Sequence, residues 1–175
     1  MQFLHCLIYL VITGIAIFFI GRILPHKWIR ENTFPFKAYD FENNGRIYDK
    51  LKISKWKDKM PDASKFMTKI FPRIMKKKKV EFGTIDEMKF LLKETCIAEL
   101  AHIIAAITGL ACFDLWGGFG GLFVFVANML FNMIFIVIQR YNRPRLRKMI
   151  EMLVKREEGF AKMQSERIPI PIMTK

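Results

Sequence analysis

The sequence has few acidic residues and few cysteines. Only 16 of its 175 residues are Asp or Glu, against 29 Lys and Arg, so the formal net charge is +13. Its three cysteines, Cys6, Cys96 and Cys112, show neither metal-binding spacing nor a disulfide framework, and we interpret them as small apolar packing residues. No Lys or Arg precedes the first apolar stretch, so it lacks the basic n-region of a secretory signal and is interpreted as an uncleaved anchor.

Three long apolar stretches account for much of the remaining composition. Hydrophobic residues make up 52% of the chain and the mean hydropathy is +0.17, although 26% of the residues are charged. The stretches 3–22, 95–116 and 120–140 each approach the ~20 residues that a helix needs to cross a hydrocarbon core. The sequence WGGFGG at 116–121 is typical of a tight turn. These patterns predict an all-α integral membrane protein with three transmembrane helices, folded as one membrane domain over residues 1–175.

The basic residues are concentrated in two segments that lie on the same side of the three spans. Segment 25–93 interleaves aromatic residues with lysines, which predicts a long basic amphipathic loop at the head-group layer. Segment 140–175 is the second basic block. The positive-inside rule therefore predicts a multi-pass plasma-membrane protein with its N-terminus outside and its C-terminus in the cytoplasm. Because the charge lies beside the spans, membrane lipids are the expected partner and nucleic acid is not.

Local signals place the ends of two further helices. Thr84 and Glu87 form a capping-box pattern, which predicts that one long helix begins there and continues into the second span. Pro144 disfavours helical backbone at Arg143 and suits the first turn of a new helix. We therefore expect the third span to end near residue 140 and a separate interfacial helix to follow within the tail 141–175. The lysine run at 76–79 is interpreted as a contact with anionic lipid, with an anionic substrate as the alternative.

Polar residues on both the second and the third span predict a pocket at the cytoplasmic end of these two spans. Glu99 and His102 lie three residues apart and so share a helix face, although a carboxylate in a span costs about 2.5–3.5 kcal/mol on insertion scales. The third span leaves the membrane through a polar run at the same depth, because the two helices are antiparallel neighbours. The pocket is expected to include seven polar residues from the third span: Asn132, Gln139, Arg140, Tyr141, Asn142, Arg143 and Arg145.

These residue types suit acyl transfer to an alcohol. His102 is the candidate catalytic base and Glu99 its orienting partner, while the arginines would hold the phosphates of an activated acyl donor. Lys55, Trp56 and Lys57 would cover the pocket from the cytoplasm, and Asn132, Gln139, Tyr141 and Asn142 would line it. The residues alone leave a structural clamp between helices equally open.

Two other classes of protein are less favoured by the same residues. Glu-x-x-His also occurs in di-iron helix pairs, but only Glu94 and Asp114 are near enough to add ligands, so no metal site is predicted. A carrier would need a polar path through the bilayer. The outer halves of the second and third spans offer only Thr108, Asp114 and Asn128, which argues against one.

Three sequence stretches resemble a known family. FKAYDFENNGRIYDKLKISKWKDKMPD, ETCIAELAH and NMIFIVIQRYNRPRL are similar to the glycosyl-4,4'-diaponeurosporenoate acyltransferase family of staphyloxanthin synthesis. The resemblance covers roughly residues 36–146. It is weak over 63–88, and the C-terminal tail is longer than the family's.

The resemblance implies an enzyme that esterifies a sugar hydroxyl of a membrane glycolipid with a fatty acyl chain at the cytoplasmic face. The implied partners are a glycolipid acceptor, such as a glycosyl carotenoid acid, and an activated fatty acyl donor, such as acyl-CoA as co-substrate, with no bound cofactor. The alternative is a non-enzymatic membrane scaffold, in which Glu99, His102 and Arg140 only hold helices together.

Overall fold

The computed structural model describes residues 1–60 and 83–166. Within these two ranges every regular element is helical, and four short 3-10 turns link or extend the α-helices. The α-helices, in chain order, are α1 (Gln2–Ile23), α2 (Arg46–Lys50), α3 (Ile53–Trp56), α4 (Ile85–Thr108), α5 (Cys112–Leu115) and α6 (Gly118–Glu166). The lysine run 76–79 and the tail beyond residue 166 lie outside the described residues.

Three helices are long and apolar enough to cross a membrane. They cover Gln2–Ile23, Ile85–Leu115 and Gly118–Ser165, in agreement with the three predicted spans. The second joins α4 to α5 through a 3-10 turn at Gly109–Ala111. A bend at residues 116–117 separates α5 from α6, so α4 and α6 run antiparallel and pack along each other.

The start of α4 follows from its capping residues. Thr84 Oγ1 accepts a hydrogen bond from the Glu87 backbone N–H at 3.2 Å, which satisfies one of the free amides of the first turn. Glu87 Oε2 in turn accepts from the Gly83 N–H at 2.7 Å. The helix start predicted from the capping-box pattern is therefore confirmed.

The third long helix does not end where the sequence predicted. α6 continues without interruption from Gly118 to Glu166, with Pro144 inside it, so the expected break and separate interfacial helix are wrong. Proline removes one backbone hydrogen bond and disfavours helical backbone at the residue before it. Before the proline, Arg140 binds α4 and Arg143 binds the loop; after it, Arg145 and Arg147 bind the loop as well. We attribute the continuous helix to these tertiary contacts.

The segment after α1 folds over the end of the bundle at which α1 ends and α4 begins, here called the basic end. Ile29 and Phe36 are buried against Cys96 and Ile97 of α4, and a second cluster buries Tyr48 and Ile53 against Tyr141 of α6. Residues 25–60 of the predicted surface loop thus form a lid of side chains over the helix ends, here called the cap.

One glycine allows this cap to approach α6. Gly45 has φ +88°, in the left-handed region that favours glycine, and a Cβ placed there would lie 2.9 Å from Cγ of Pro144. A larger residue would push the cap away from the helix. Gly45 therefore positions residues 40–50 against the basic end.

Candidate active site

Four charged side chains meet at the basic end and form what we call the ion cluster: the buried Glu42, Glu99 and Arg143, and Arg140, whose side chain is 10% exposed. Glu99 is fully buried, with 0% of its surface exposed. Its Oε1 accepts from Arg140 Nε at 2.6 Å, and its Oε2 accepts from Arg143 Nη2. Arg140 Nη1 also donates to Glu42. The two carboxylates and two guanidinium groups balance in charge, which is the condition for burying ions at tolerable cost.

The loop supplies further acceptors to the same two arginines. Arg140 Nη2 donates to the Pro35 carbonyl at 2.5 Å, and Arg143 Nη1 donates to the Phe36 carbonyl at 2.7 Å. Arg143 Nε also reaches Thr95 Oγ1 at 3.5 Å. Each guanidinium has five N–H groups, and each of these two arginines donates to at least three protein acceptors. The cluster therefore joins α4, α6 and the cap.

Glu42 is a member of the site that the sequence prediction missed. It lies in the 3-10 turn Asp40–Gly45, and it is buried beside Tyr48. Burial and the neighbouring Glu42 carboxylate raise the pKa of Tyr48 to about 12, so its phenol stays protonated at neutral pH. Hydrophobic periodicity cannot place a loop carboxylate between two helices. The one sequence signal that could have identified Glu42 is its position in the first stretch that resembles the family.

A cleft of about 620 Å³ opens at the outer surface of the ion cluster. Four of its lining residues are cationic and two are acidic, so its wall carries a positive excess. The lining residues are Phe36, Ala38, Glu42, Gly45, Arg140, Arg143, Pro144, Arg147, Lys148 and Glu151. Arg147 and Lys148 were not singled out in the sequence, although they continue the face of α6 that carries Arg140.

The structure does not pair His102 with Glu99. Both Glu99 oxygens bind arginines, whereas His102 Nδ1 lies 2.9 Å from Asn132 Oδ1 and the imidazole stacks on Phe135 with ring centroids 4.7 Å apart. The expectation that Glu99 orients His102 is therefore wrong in its geometry. A carboxylate gains more from two guanidinium groups than from one imidazole, and α6 brings both arginines to it.

His102 lies deeper between the helices than the cleft. Three residues separate it from Glu99 on α4, or about 5 Å along the axis at 1.5 Å per residue. On α6, its partner Asn132 is eight residues from Arg140, or about 12 Å by the same rise. The cleft is lined by the cap and α6, whereas His102 lies between α4 and α6, about 12 Å further along α6 at the level of Asn132.

Most of the other predicted pocket residues lie on a different face of α6 from the cleft. Arg145 donates to Asp49 at 2.7 Å and its guanidinium lies 3.5 Å from the centroid of the buried Tyr141 ring. Asn142 Oδ1 accepts from Lys57 Nζ at 3.3 Å. These contacts bind the cap to α6 and do not line the cleft.

The last three predicted residues have minor contacts. Trp56 Nε1 donates to the Leu51 carbonyl at 3.1 Å and its ring packs beside the buried Tyr48 cluster. Lys55 is exposed and Gln139 is half-buried. Across residues 1–60 and 83–166, no group of three or more His, Cys, Asp or Glu side chains is placed to hold a metal ion.

Two comparisons with known proteins indicate the same acyltransferase family. The family model for glycosyl-4,4'-diaponeurosporenoate acyltransferase (CrtO) matches residues 25–152. A glycosyl-4,4'-diaponeurosporenoate acyltransferase of Staphylococcus aureus strain MRSA252 is 32% identical over 158 residues, covering 87% of this chain and 90% of the relative. The protein of the same name from strain N315 is 30% identical over the same shares. No solved structure gives a significant match.

Proposed function

Because the chain belongs to the glycosyl-4,4'-diaponeurosporenoate acyltransferase family, and is therefore an acyltransferase, we propose that it esterifies a sugar hydroxyl of a membrane glycolipid with a fatty acyl chain. The acceptor named for its relatives, a glycosyl diaponeurosporenoate, is the proposed acceptor. The observation that carries the proposal is the basic cleft above the ion cluster, about 12 Å along α6 from the level of His102.

The cleft suits the phosphate groups of an activated donor such as acyl-CoA. Arg147 and Lys148 line it together with Arg140 and Arg143, and such cations bind phosphate through charge-assisted hydrogen bonds. A donor held there by its phosphates would direct its acyl end along the α4–α6 interface toward the depth of His102. Arg145 is not part of this binding site, since it is bound to Asp49 on another face.

His102 is the proposed catalytic base. One imidazole nitrogen takes the proton of the sugar hydroxyl while the hydroxyl oxygen attacks the acyl carbonyl carbon. The new C–O bond forms, the bond from the carbonyl carbon to the thioester sulfur breaks, and the imidazolium returns its proton to the leaving thiolate. The products are an ester and a free thiol, so protons and electrons balance without a cofactor.

We propose that the reaction occurs at the cytoplasmic face of the plasma membrane. Both basic segments, 25–93 and 140–175, join the spans at the basic end, which favours the cytoplasmic side. The N-terminus would then lie outside and the end of α6 in the cytoplasm. This orientation also gives the cleft access to soluble acyl-CoA.

The direct test is acyl transfer by the purified full-length protein in lipid vesicles. Vesicles containing a glycosyl-4,4'-diaponeurosporenoate are supplied with a long-chain acyl-CoA, and the lipids are analysed by mass spectrometry. We expect the acceptor to gain the mass of one fatty acyl unit. No gain with this acceptor, while a lysolipid or another glycolipid is acylated, would contradict the proposed acceptor; no gain with any of them would favour the scaffold alternative.

Replacing Lys148 by alanine is expected to weaken donor binding selectively. Lys148 is an exposed cation on the cleft wall, and the loss of about 1 kcal/mol for one charge–phosphate contact corresponds to a roughly fivefold rise in KM for acyl-CoA at an almost unchanged kcat. Lys155→Ala is the matched control, because Lys155 is exposed on the same face two turns further along α6 and outside the cleft. Equal KM values for the two variants would place the donor phosphates elsewhere.

A further inference from the structure

Two asparagines on α6 connect His102 to the backbone of its own helix. Asn132, only 4% exposed, has its Oδ1 2.9 Å from His102 Nδ1. Asn132 Nδ2 donates to the Asn128 carbonyl at 2.9 Å and to Asn128 Oδ1 at 3.1 Å. Asn128 Nδ2 in turn donates to the Ala105 carbonyl of α4 at 2.9 Å. We call this chain of contacts the amide ladder.

The chemistry of the ladder allows only one direction of hydrogen bonding. The end of Asn128 that faces α4 meets carbonyl oxygens, which only accept, so this end must be the NH2 group. Its oxygen then faces Asn132. The end of Asn132 that meets Asn128 faces two oxygens and must also be the NH2 group, which leaves the Asn132 oxygen facing His102.

This direction determines which imidazole nitrogen carries the proton. Because Asn132 presents an acceptor, His102 Nδ1 must be the donor, and in a neutral imidazole Nε2 then holds the lone pair. Stacking on Phe135, with an angle of 9° between the rings, restrains the orientation of the imidazole. Gly109 leaves room for the ladder, since a Cβ there would collide with Asn128 Nδ2.

We infer that Asn128 and Asn132 are positioning residues that hold His102 in the Nδ1–H tautomer, so that Nε2 is the atom that accepts the sugar hydroxyl proton. The catalytic part of this inference rests on the proposed function of His102. The tautomer itself does not, since it follows from the ladder alone. Asn132 was expected to line a substrate pocket, and this inference gives it an orienting role instead.

Nitrogen NMR tests the tautomer without reference to activity. The full-length protein, labelled with 15N-histidine and reconstituted in lipid vesicles, is measured at mildly alkaline pH, where protonated and lone-pair nitrogens resonate far apart. His102→Gln identifies the signals of His102, and the remaining signals of His5 and His26 are internal controls. We expect a protonated Nδ1 and an unprotonated Nε2; the opposite tautomer would overturn the inference.

Two replacements of Asn132 separate positioning from simple helix packing. Asn132→Asp and Asn132→Leu both remove the donor to Asn128, so both weaken the ladder as a tie between helices. Only Asn132→Asp keeps an oxygen acceptor for Nδ1. We therefore expect the Nδ1–H tautomer to persist in the Asp variant and to become mixed in the Leu variant.

Activity should follow the same division. For Asn132→Leu, kcat is expected to fall by about tenfold to a hundredfold at an unchanged KM for acyl-CoA, the scale found when a metal-bound histidine loses the hydrogen-bond partner that orients it. Asn132→Asp should retain most of kcat. If kcat fell equally in both variants while the tautomer stayed unchanged, the amide ladder would only pack the two helices together and would not position His102. Full activity of His102→Gln would instead refute the proposed base and leave the tautomer assignment standing.

Discussion

Replacing Glu99 by alanine is expected to cause the largest loss of stability of any single substitution in the described residues. The change removes the shared partner of Arg140 and Arg143, which are themselves almost completely enclosed. Breaking a buried ion pair by deleting one member typically costs about 3–5 kcal/mol, because the remaining charge stays buried without compensation. For a chain of this size that corresponds to a fall in Tm of roughly 6–20 °C.

Thermal unfolding of the purified protein in detergent measures this effect, and Glu94→Ala is the matched control. Glu94 lies five residues earlier on α4 and also pairs with basic side chains, but its side chain is 32% exposed and its partners are Arg22 and His26. Exposed pairs contribute about 0–1 kcal/mol, so its Tm should change by a few degrees at most. Glu99→Gln removes the charge but retains the shape of the side chain. Its Tm is measured in place of that of Glu99→Ala if the alanine variant does not accumulate. Equal shifts for Glu94→Ala and the Glu99 variants would contradict a buried ion cluster.

Replacing His102 by glutamine is expected to cause the largest loss of activity. Removal of a general base commonly lowers kcat by about 10²–10⁴-fold. Glutamine is chosen because its amide N–H can still donate to Asn132 Oδ1, so the amide ladder and the helix packing should survive. The KM for acyl-CoA should stay close to that of the unmodified protein, since the cleft residues are unchanged.

Acyl transfer in vesicles and thermal unfolding in detergent together check this prediction. His5→Gln is the control, because His5 is exposed near the start of α1, at the end of the bundle opposite to the cleft. It should retain activity and Tm. A His102→Gln variant that turns over at the normal rate would remove His102 from the chemistry, whereas a variant that is inactive only because its Tm collapses would point to a structural histidine.

The location of the polar site was predictable from residues near one another in sequence. The second and third apolar runs are joined by a short glycine-rich turn, so the two helices must lie side by side. Glu99 on the second span is then level with the polar residues at the end of the third. The sequence alone therefore predicts that Glu99 lies beside Arg140 and Arg143, and the structure confirms both contacts. The pairing within the site was less predictable. Spacing alone allowed Glu99 to meet His102, and only the packed helices show that both its oxygens face arginines instead.

The sequence by itself determined the three spans and the start of α4. A chain crossing lipid must satisfy its backbone hydrogen bonds within each segment, so length and apolar character are sufficient to identify a span. Only the tertiary structure decided that Glu42 enters the ion cluster, that Pro144 sits inside an unbroken α6, and that Asn132 faces His102. Each of these depends on contacts between segments far apart in the chain, and no local periodicity carries that information.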